Sequence, residues 1–286
     1  MSQRPTVMLT PRQSQLLARV VLWTLMAAAI TILVLILAFV LGRGLRHLTW
    51  TFLSAAPIDS GRSGGVMPIL VGTLQVTLLG IATATPLGVG TAVYLCEYTR
   101  ESRLTRIIRF GTECLAGVPS IIFGLFGFVL FVLTLGFGWS ILAGGLTLAF
   151  MTLPTIIRTS EEALRAVPHG YREVSLSLGA SRWQTIVHAV LPAAVPGILT
   201  GLILGLGRAI GETAAVIFTA GSSLPRRIPT SLFEGTRTLS VHFYQLAREG
   251  ISADNAYATA AVLVLAISLI NIGAHLALSR FMRRYR

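Results

Sequence analysis

Residues 20–41 read VVLWTLMAAAITILVLILAFVL, an apolar run of 22 positions without one charged side chain. As a helix rising 1.5 Å per residue, such a run spans the roughly 30 Å hydrocarbon core of a bilayer. It is too long for the apolar part of a signal peptide. The following Gly42-Arg43-Gly44-Leu45-Arg46 offers no small-x-small cleavage site, so the run reads as an uncleaved first span. Five more runs qualify, at about 69–94, 114–135, 139–157, 193–220 and 256–278. The third and fourth are parted only by Gly136-Phe137-Gly138, which reads as a tight turn. Pro86, Pro119 and Pro154 lie inside runs and predict kinks, tolerated where neighbouring helices satisfy the freed carbonyls. The expected fold is an all-α integral membrane protein of six transmembrane helices. A tail over 1–19 and another over 280–286 flank a membrane domain over 20–279.

Composition agrees. Of 286 residues, 53% are hydrophobic and 12% charged, about half the charged share of a soluble domain. All 23 residues counted as Lys plus Arg are Arg. Without lysine there is no P-loop lysine and no Schiff base, so nucleotide-driven work needs another subunit. The arginines gather at the ends of apolar runs, which favours membrane orientation over nucleic-acid binding. Segments 1–19, 95–113, 158–192 and 279–286 hold 15 of them, segments 42–68 and 221–255 hold 7, and Arg208 lies within a span. Both termini are therefore expected in the cytoplasm. Cys96 and Cys114 have neither zinc spacing nor a disulfide framework, and there is no H-E-x-x-H, no C-x-x-C and no dinucleotide fingerprint.

Two loops are long. The inner one, 158–192, is expected to hold helices opened by capping boxes at Thr159–Glu162 and Ser181–Gln184, with Pro168 an interruption and Gly179 a helix stop. Val174 and Leu178 share a face, and Trp183, Ile186 and Val190 follow. An amphipathic surface with no span of its own must bury itself on this chain or on a cytoplasmic partner. The outer loop, 221–255, places Leu239, Phe243 and Leu246 at helical spacing, with Arg248 and Glu249 beyond. It reads as a surface helix for an external partner or for the membrane.

Glu173-Val174-Ser175, then Gly179, then Leu191-Pro192 resembles the EAA loop of bacterial ABC importer permeases, with Val174, Ser175 and Ala189 departing from the pattern. Further motifs are similar to PstA-type permeases of phosphate-specific ABC importers. They are Gly64-Gly65-Val66-Met67-Pro68, Tyr94-Leu95-Cys96-Glu97-Tyr98, Gly117-Val118-Pro119-Ser120, Glu161-Glu162-Ala163-Leu164 and Gly207-Arg208-Ala209-Ile210-Gly211-Glu212-Thr213. The resemblance implies a type I ABC importer (MetI-like) core whose coupling helix, with Glu173, Ser175, Gly179, Ala180, Ser181 and Arg182, seats in an ATP-binding subunit. It implies a PstC-type permease as partner, an ATP-binding dimer that holds ATP and Mg, and a periplasmic phosphate-binding protein. No cofactor is implied for this chain itself.

Arg208 and Glu212 stand inside the fifth run, where a charge costs at least ~2.5–3.5 kcal/mol on insertion scales. On a continuous helix they share a narrow face with Gly197, Gly201, Gly205, Ala215 and Thr219. Either the two charges pair with each other, or Arg208 binds an oxyanion through its planar fork while Glu212 accepts a protonated oxygen. Arg208 lies about 23 Å above the start of the run, a depth suited to a translocation site. The resemblance likewise points to Arg208 and Glu212 as phosphate-pathway residues, and Thr219 is a further candidate. A rival reading takes Gly61-Arg62-Ser63-Gly64-Gly65 as a serine nucleophile with His275 as base, which opposite ends of the bundle would keep apart. An ABC permease for another solute, or a transporter working without an ATPase, are the remaining alternatives.

Overall fold

Thr10 opens the first helix. Its hydroxyl accepts from the Gln13 amide while the Gln13 side chain accepts from the Thr10 amide, and Pro11 takes N1, where its missing N–H costs nothing. Helix α1 (Pro11–Gly44) therefore begins ahead of the apolar run. The computed structural model describes residues 10–99 and 102–284; Arg4, Arg100 and Arg286 of the charge tally lie outside these. After α2 (Trp50–Ser54), strands β1 (Pro57–Ile58) and β2 (Ser63–Gly64) form a small antiparallel hairpin. Then come α3 (Met67–Val93), prolonged by a wide turn over Tyr94–Tyr98, α4 (Arg103–Ala116), and α5 (Ser120–Gly127), prolonged over Phe128–Thr134. Next are α6 (Ile141–Ala166), α7 (His169–Ser177), and α8 (Arg182–Thr185), which passes through a wide turn at Ile186–Val190 into α9 (Leu191–Ile210). Finally come α10 (Ala214–Thr219), α11 (Leu239–Arg248) and α12 (Ala253–Arg284).

Five of these helical stretches are long and apolar enough to cross a membrane, and the bent pair α4–α5 brings the total to six among the described residues. The third span differs from expectation. Rather than one kinked helix from Cys114, two helices, α4 and α5, meet at 102° across Gly117-Val118-Pro119. Pro119 starts a new helix there instead of kinking an old one. The Gly136-Phe137-Gly138 turn does form, with φ of +70° and +64° at its glycines.

Helix α6 is the axis of the bundle. Two thirds of its most apolar window (67%) is buried, against 0% for α1, whose apolar surface is left for lipid or another subunit. Lipid tails are as apolar as leucine, so close packing rather than the hydrophobic effect holds such helices together. Gly80 and Gly88 of α3 admit Leu148 and Ile156 of α6, and Gly197 and Gly201 of α9 admit Ala163 and Thr159. Four buried hydroxyls are satisfied within their own helices: Thr73, Thr147, Thr152 and Thr219 each donate to the carbonyl four residues back, at 2.7–2.8 Å. Thr159 does the same, donating to Thr155. It therefore sits inside α6, not at a helix start, and the expected capping box with Glu162 does not exist. The outer end of α6 is capped by the loop, whose Glu234 and Leu232 carbonyls accept from the Ile141 and Leu142 amides at 2.9 Å.

Candidate functional site

The fifth span is broken. Helix α9 stops at Ile210, Gly211-Glu212-Thr213 leave helical order, and α10 resumes at Ala214. The helical projection that aligned Ala215 and Thr219 with Arg208 fails across this gap. Glu212 instead caps α10: its Oε1 accepts from the Ala215 amide at 3.3 Å, leaving Oε2 without a partner among the described residues. The Glu212 carbonyl, freed by the break, accepts from the Ser240 hydroxyl of α11 at 2.6 Å. Thr219 is fully buried, with its hydroxyl on the Ala215 carbonyl.

Arg208 occupies the last turn of α9, where a cation suits the helix dipole. Its side chain is exposed on the chain, and no ion pair or hydrogen bond engages it among the described residues. The expected alternative of an Arg208–Glu212 pair is absent. The small residues on its face serve a different purpose. A Cβ at Gly201 would collide with Thr159, whereas one at Gly205 finds its nearest neighbours, on Ile156 and Ile81, at 3.8 Å. Helices α6 and α9 touch most tightly at Gly201, while Gly205 leaves room for a methyl against Ile156, and Arg208 stands beyond it.

Helix α11 supports this geometry. Leu239 and Leu246 are buried, with 1% and 0% exposure, so one face of α11 packs on the bundle, while Phe243 and Tyr244 stay exposed. The Leu239 amide donates to Thr73 on α3 at 2.9 Å. Beneath α11, Arg237 donates to the Ser222 carbonyl at 2.7 Å and to His242 Nδ1 at 3.2 Å. Burial, and secondarily Arg237, pushes the His242 imidazole down from 6.5 to about 3; burial also lowers Arg237 to about 10. His242 is thus neutral in the folded protein, while the unfolded chain protonates it near 6.5. Its contribution is complete above that pH and is lost as pH falls toward about 3, at roughly 1.4 kcal/mol per unit inside the window. Melting of the detergent-solubilised protein should accordingly weaken with acid across that window, and His242→Gln should flatten the dependence. An equal acid slope in the variant would show that other groups set it.

The inner loop is helix, glycine turn, helix, as expected. Gly179 follows α7 at φ +84°, and Ser181 with Gln184 forms the reciprocal capping box of α8. Ser175 and Thr185 share a hydrogen bond at 3.0 Å, and the Ala180 amide donates to the Ser175 carbonyl at 3.2 Å. Ile186 and Val190 are buried, but Val174 (62%), Leu178 (83%) and Trp183 (63%) stay exposed. Glu173 and Arg182 are exposed among them. Such a projecting apolar cluster fits a partner surface. Sequence reasoning missed Arg172, which grips Glu97 across 75 positions at 2.6 Å. It also took Arg208 and Glu212 as the only candidates for a buried ion pair, whereas Arg172–Glu97 and Arg109–Glu161 are the largely shielded pairs found among the described residues. The serine-protease reading fails on geometry. Ser63 bonds Asp59 in the β1–β2 hairpin, which Asn255 ties to the start of α12 at 2.8–2.9 Å, and His275 lies 20 residues along that helix, ~30 Å away.

Residues 84–286 match the family model described as "Binding-protein-dependent transport system inner membrane component". Among curated proteins, the probable ABC transporter permease protein YqgI of Bacillus subtilis is 34% identical over 257 residues, covering 85% of this chain and 87% of that protein. Phosphate transport system permease protein PstA 1 of Mycobacterium tuberculosis H37Rv is 36% identical over 271 residues, covering 92% and 86%. Two solved structures share the fold. One is the inward-facing MetNI methionine ABC transporter, at TM-score 0.63 and 21% identity over 76% of this chain and 97% of that one. The other is a bacterial ABC transporter involved in alginate import, at TM-score 0.66 and 15% identity over 94% and 96%.

Proposed function

The chain belongs to the binding-protein-dependent transport system inner membrane components, and on that premise we propose that it is a PstA-type permease subunit importing inorganic phosphate. It is a transport subunit, not an enzyme, and it works with an ATPase and a substrate-binding protein. The observation that carries the phosphate reading is the unengaged guanidinium of Arg208, presented beside a broken span of a chain 36% identical to a phosphate permease. Half-helix ends beside irregular backbone are where transporters hold ions. A planar fork suits an oxyanion. The Glu212 carboxylate, with Oε2 free, accepts only a hydrogen-bearing oxygen, which phosphate offers at neutral pH and sulfate does not.

Because Arg208 faces outward from the chain, the pathway is proposed to close only against a second, PstC-type permease. Both termini are placed in the cytoplasm. The exposed knob of Val174, Leu178 and Trp183, with Glu173 and Arg182, then docks in the ATP-binding dimer, which carries ATP and Mg, while this chain binds no cofactor. In the working cycle, ATP-driven closure of that dimer moves the coupling loop and opens the Arg208 face outward. Hydrolysis then resets the subunits for inward release.

The test is copurification followed by reconstitution. The complex should contain an ATPase and a second permease, and liposomes bearing it with a phosphate-binding protein should take up phosphate, not sulfate, only with ATP. The isolated chain should carry neither anion. Uptake by the chain alone would overturn the proposal.

A further inference from the structure

Helix α7 buries none of its residues. Beyond its packing on α8 and on the wide turn at Ile186–Val190, its hold on the bundle runs through two polar links. One is the Ser175–Thr185 hydrogen bond at 3.0 Å, which reaches only α8, its neighbour in the chain. The other is Arg172. Its Nε donates to both Glu97 oxygens at 3.2 Å and its Nη2 to Oε1 at 2.6 Å. The same guanidinium caps the end of α6, donating from Nη1 to the Val167 carbonyl and from Nη2 to the Leu164 carbonyl, each at 3.0 Å. Both side chains are largely shielded, at 19% and 10% exposure. Glu97 sits in the wide turn that ends α3. One planar group thus joins α7 to the inner ends of α3 and α6. Those two helices are locked together above it, where glycines of α3 receive Leu148 and Ile156 of α6.

We infer that Arg172 is the positioning residue that makes α7 one rigid unit with the α3–α6 pair, so that a push on α7 is delivered to that pair as well as through α8 to α9. The inference rests on the reading of α7 as the ATPase-coupling helix and names the connection that reading needs. A loop tethered mainly to α8 would instead pass the push straight into the fifth span. A lysine cannot replace the fork, because one ammonium cannot hold a carboxylate and two carbonyls in this fixed arrangement.

The experiment compares phosphate carried per ATP hydrolysed by the full reconstituted complex bearing Arg172→Lys, Arg172→Ala or Glu97→Gln. The ratio should fall about tenfold in each, as expected for breaking a shielded charge pair, while ATP turnover and subunit stoichiometry hold. The double variant Arg172→Ala/Glu97→Gln should be no worse than either single, since both remove the same link. An unchanged ratio overturns the inference, and so does parallel loss of transport and ATP hydrolysis, which would mark a merely structural role. A second readout is independent of the solute carried. Spin labels at the exposed Leu176 on α7 and Leu87 on α3 should keep one distance through the ATP cycle in the unmodified background, and lose it with Arg172→Lys. A distance that already changes through the cycle in that background overturns the inference. Wild-type complex that hydrolyses ATP without moving phosphate tells against the phosphate assignment alone.

Discussion

Arg208→Gln should abolish phosphate uptake by the reconstituted complex, a loss of about a hundredfold or more, while assembly with the ATPase persists. A charge-assisted, bidentate bond to an oxyanion is worth several kcal/mol where water is scarce, and 2.7 kcal/mol is already about a hundredfold. Glutamine keeps the length and polarity but not the charge or the fork. Stability should barely change, because Arg208 is exposed and engages no partner among the described residues. Its removal orphans nothing in the chain. That separation of effects makes the variant informative. Arg208→Lys should fall between, since an ammonium retains the attraction without bidentate geometry. Glu212→Gln should chiefly relax the choice between phosphate and sulfate. Uptake at the normal rate by the Arg208→Gln complex would remove this arginine from the pathway.

The distribution of legible features follows from the range of the forces involved. Spans were readable because a bilayer demands some twenty apolar residues whatever the tertiary context. The Ser181–Gln184 box and the Gly179 stop were readable because both are closed within a few residues. The same local pattern misled at Thr159–Glu162, where a threonine inside a helix bonds its own carbonyl four residues back. The break at Gly211–Thr213 was hidden because apolar sequence continues on both sides, so hydropathy averages across it; at Gly117–Pro119 the proline announced a bend but not that the amphipathic α4 before it joins the span. What fixes the second break is remote: Ser240 supplies the partner for the freed Glu212 carbonyl from 28 residues away. Arg172 and Glu97 lie further apart still, and no periodicity links them. For α11, likewise, Leu239 and Leu246 show an apolar stripe but not which surface receives it.

Gly201→Val should cause a large loss of folded protein. A Cβ at this position runs into the Thr159 hydroxyl, with the Thr159 Cβ at 2.6 Å. Thr159 cannot swing away easily, since its χ1 is restricted in a helix and its hydroxyl already serves the Thr155 and Ile156 carbonyls. Helices α6 and α9 would have to part, at a cost of about 1–3 kcal/mol or more for overpacking. The loss would be read as a lower melting temperature and poorer recovery of monodisperse complex. Gly201→Ala is the milder form, and Thr159→Ala should partly rescue it, because the pair shares one contact and their effects are then not additive. Gly205→Ala supplies the contrast. Its nearest neighbours stand at 3.8 Å, an ordinary contact distance, so the added methyl should be tolerated. Equal damage at positions 201 and 205 would mean that the α6–α9 contact is no tighter at Gly201 than at Gly205, against the distances at the two sites.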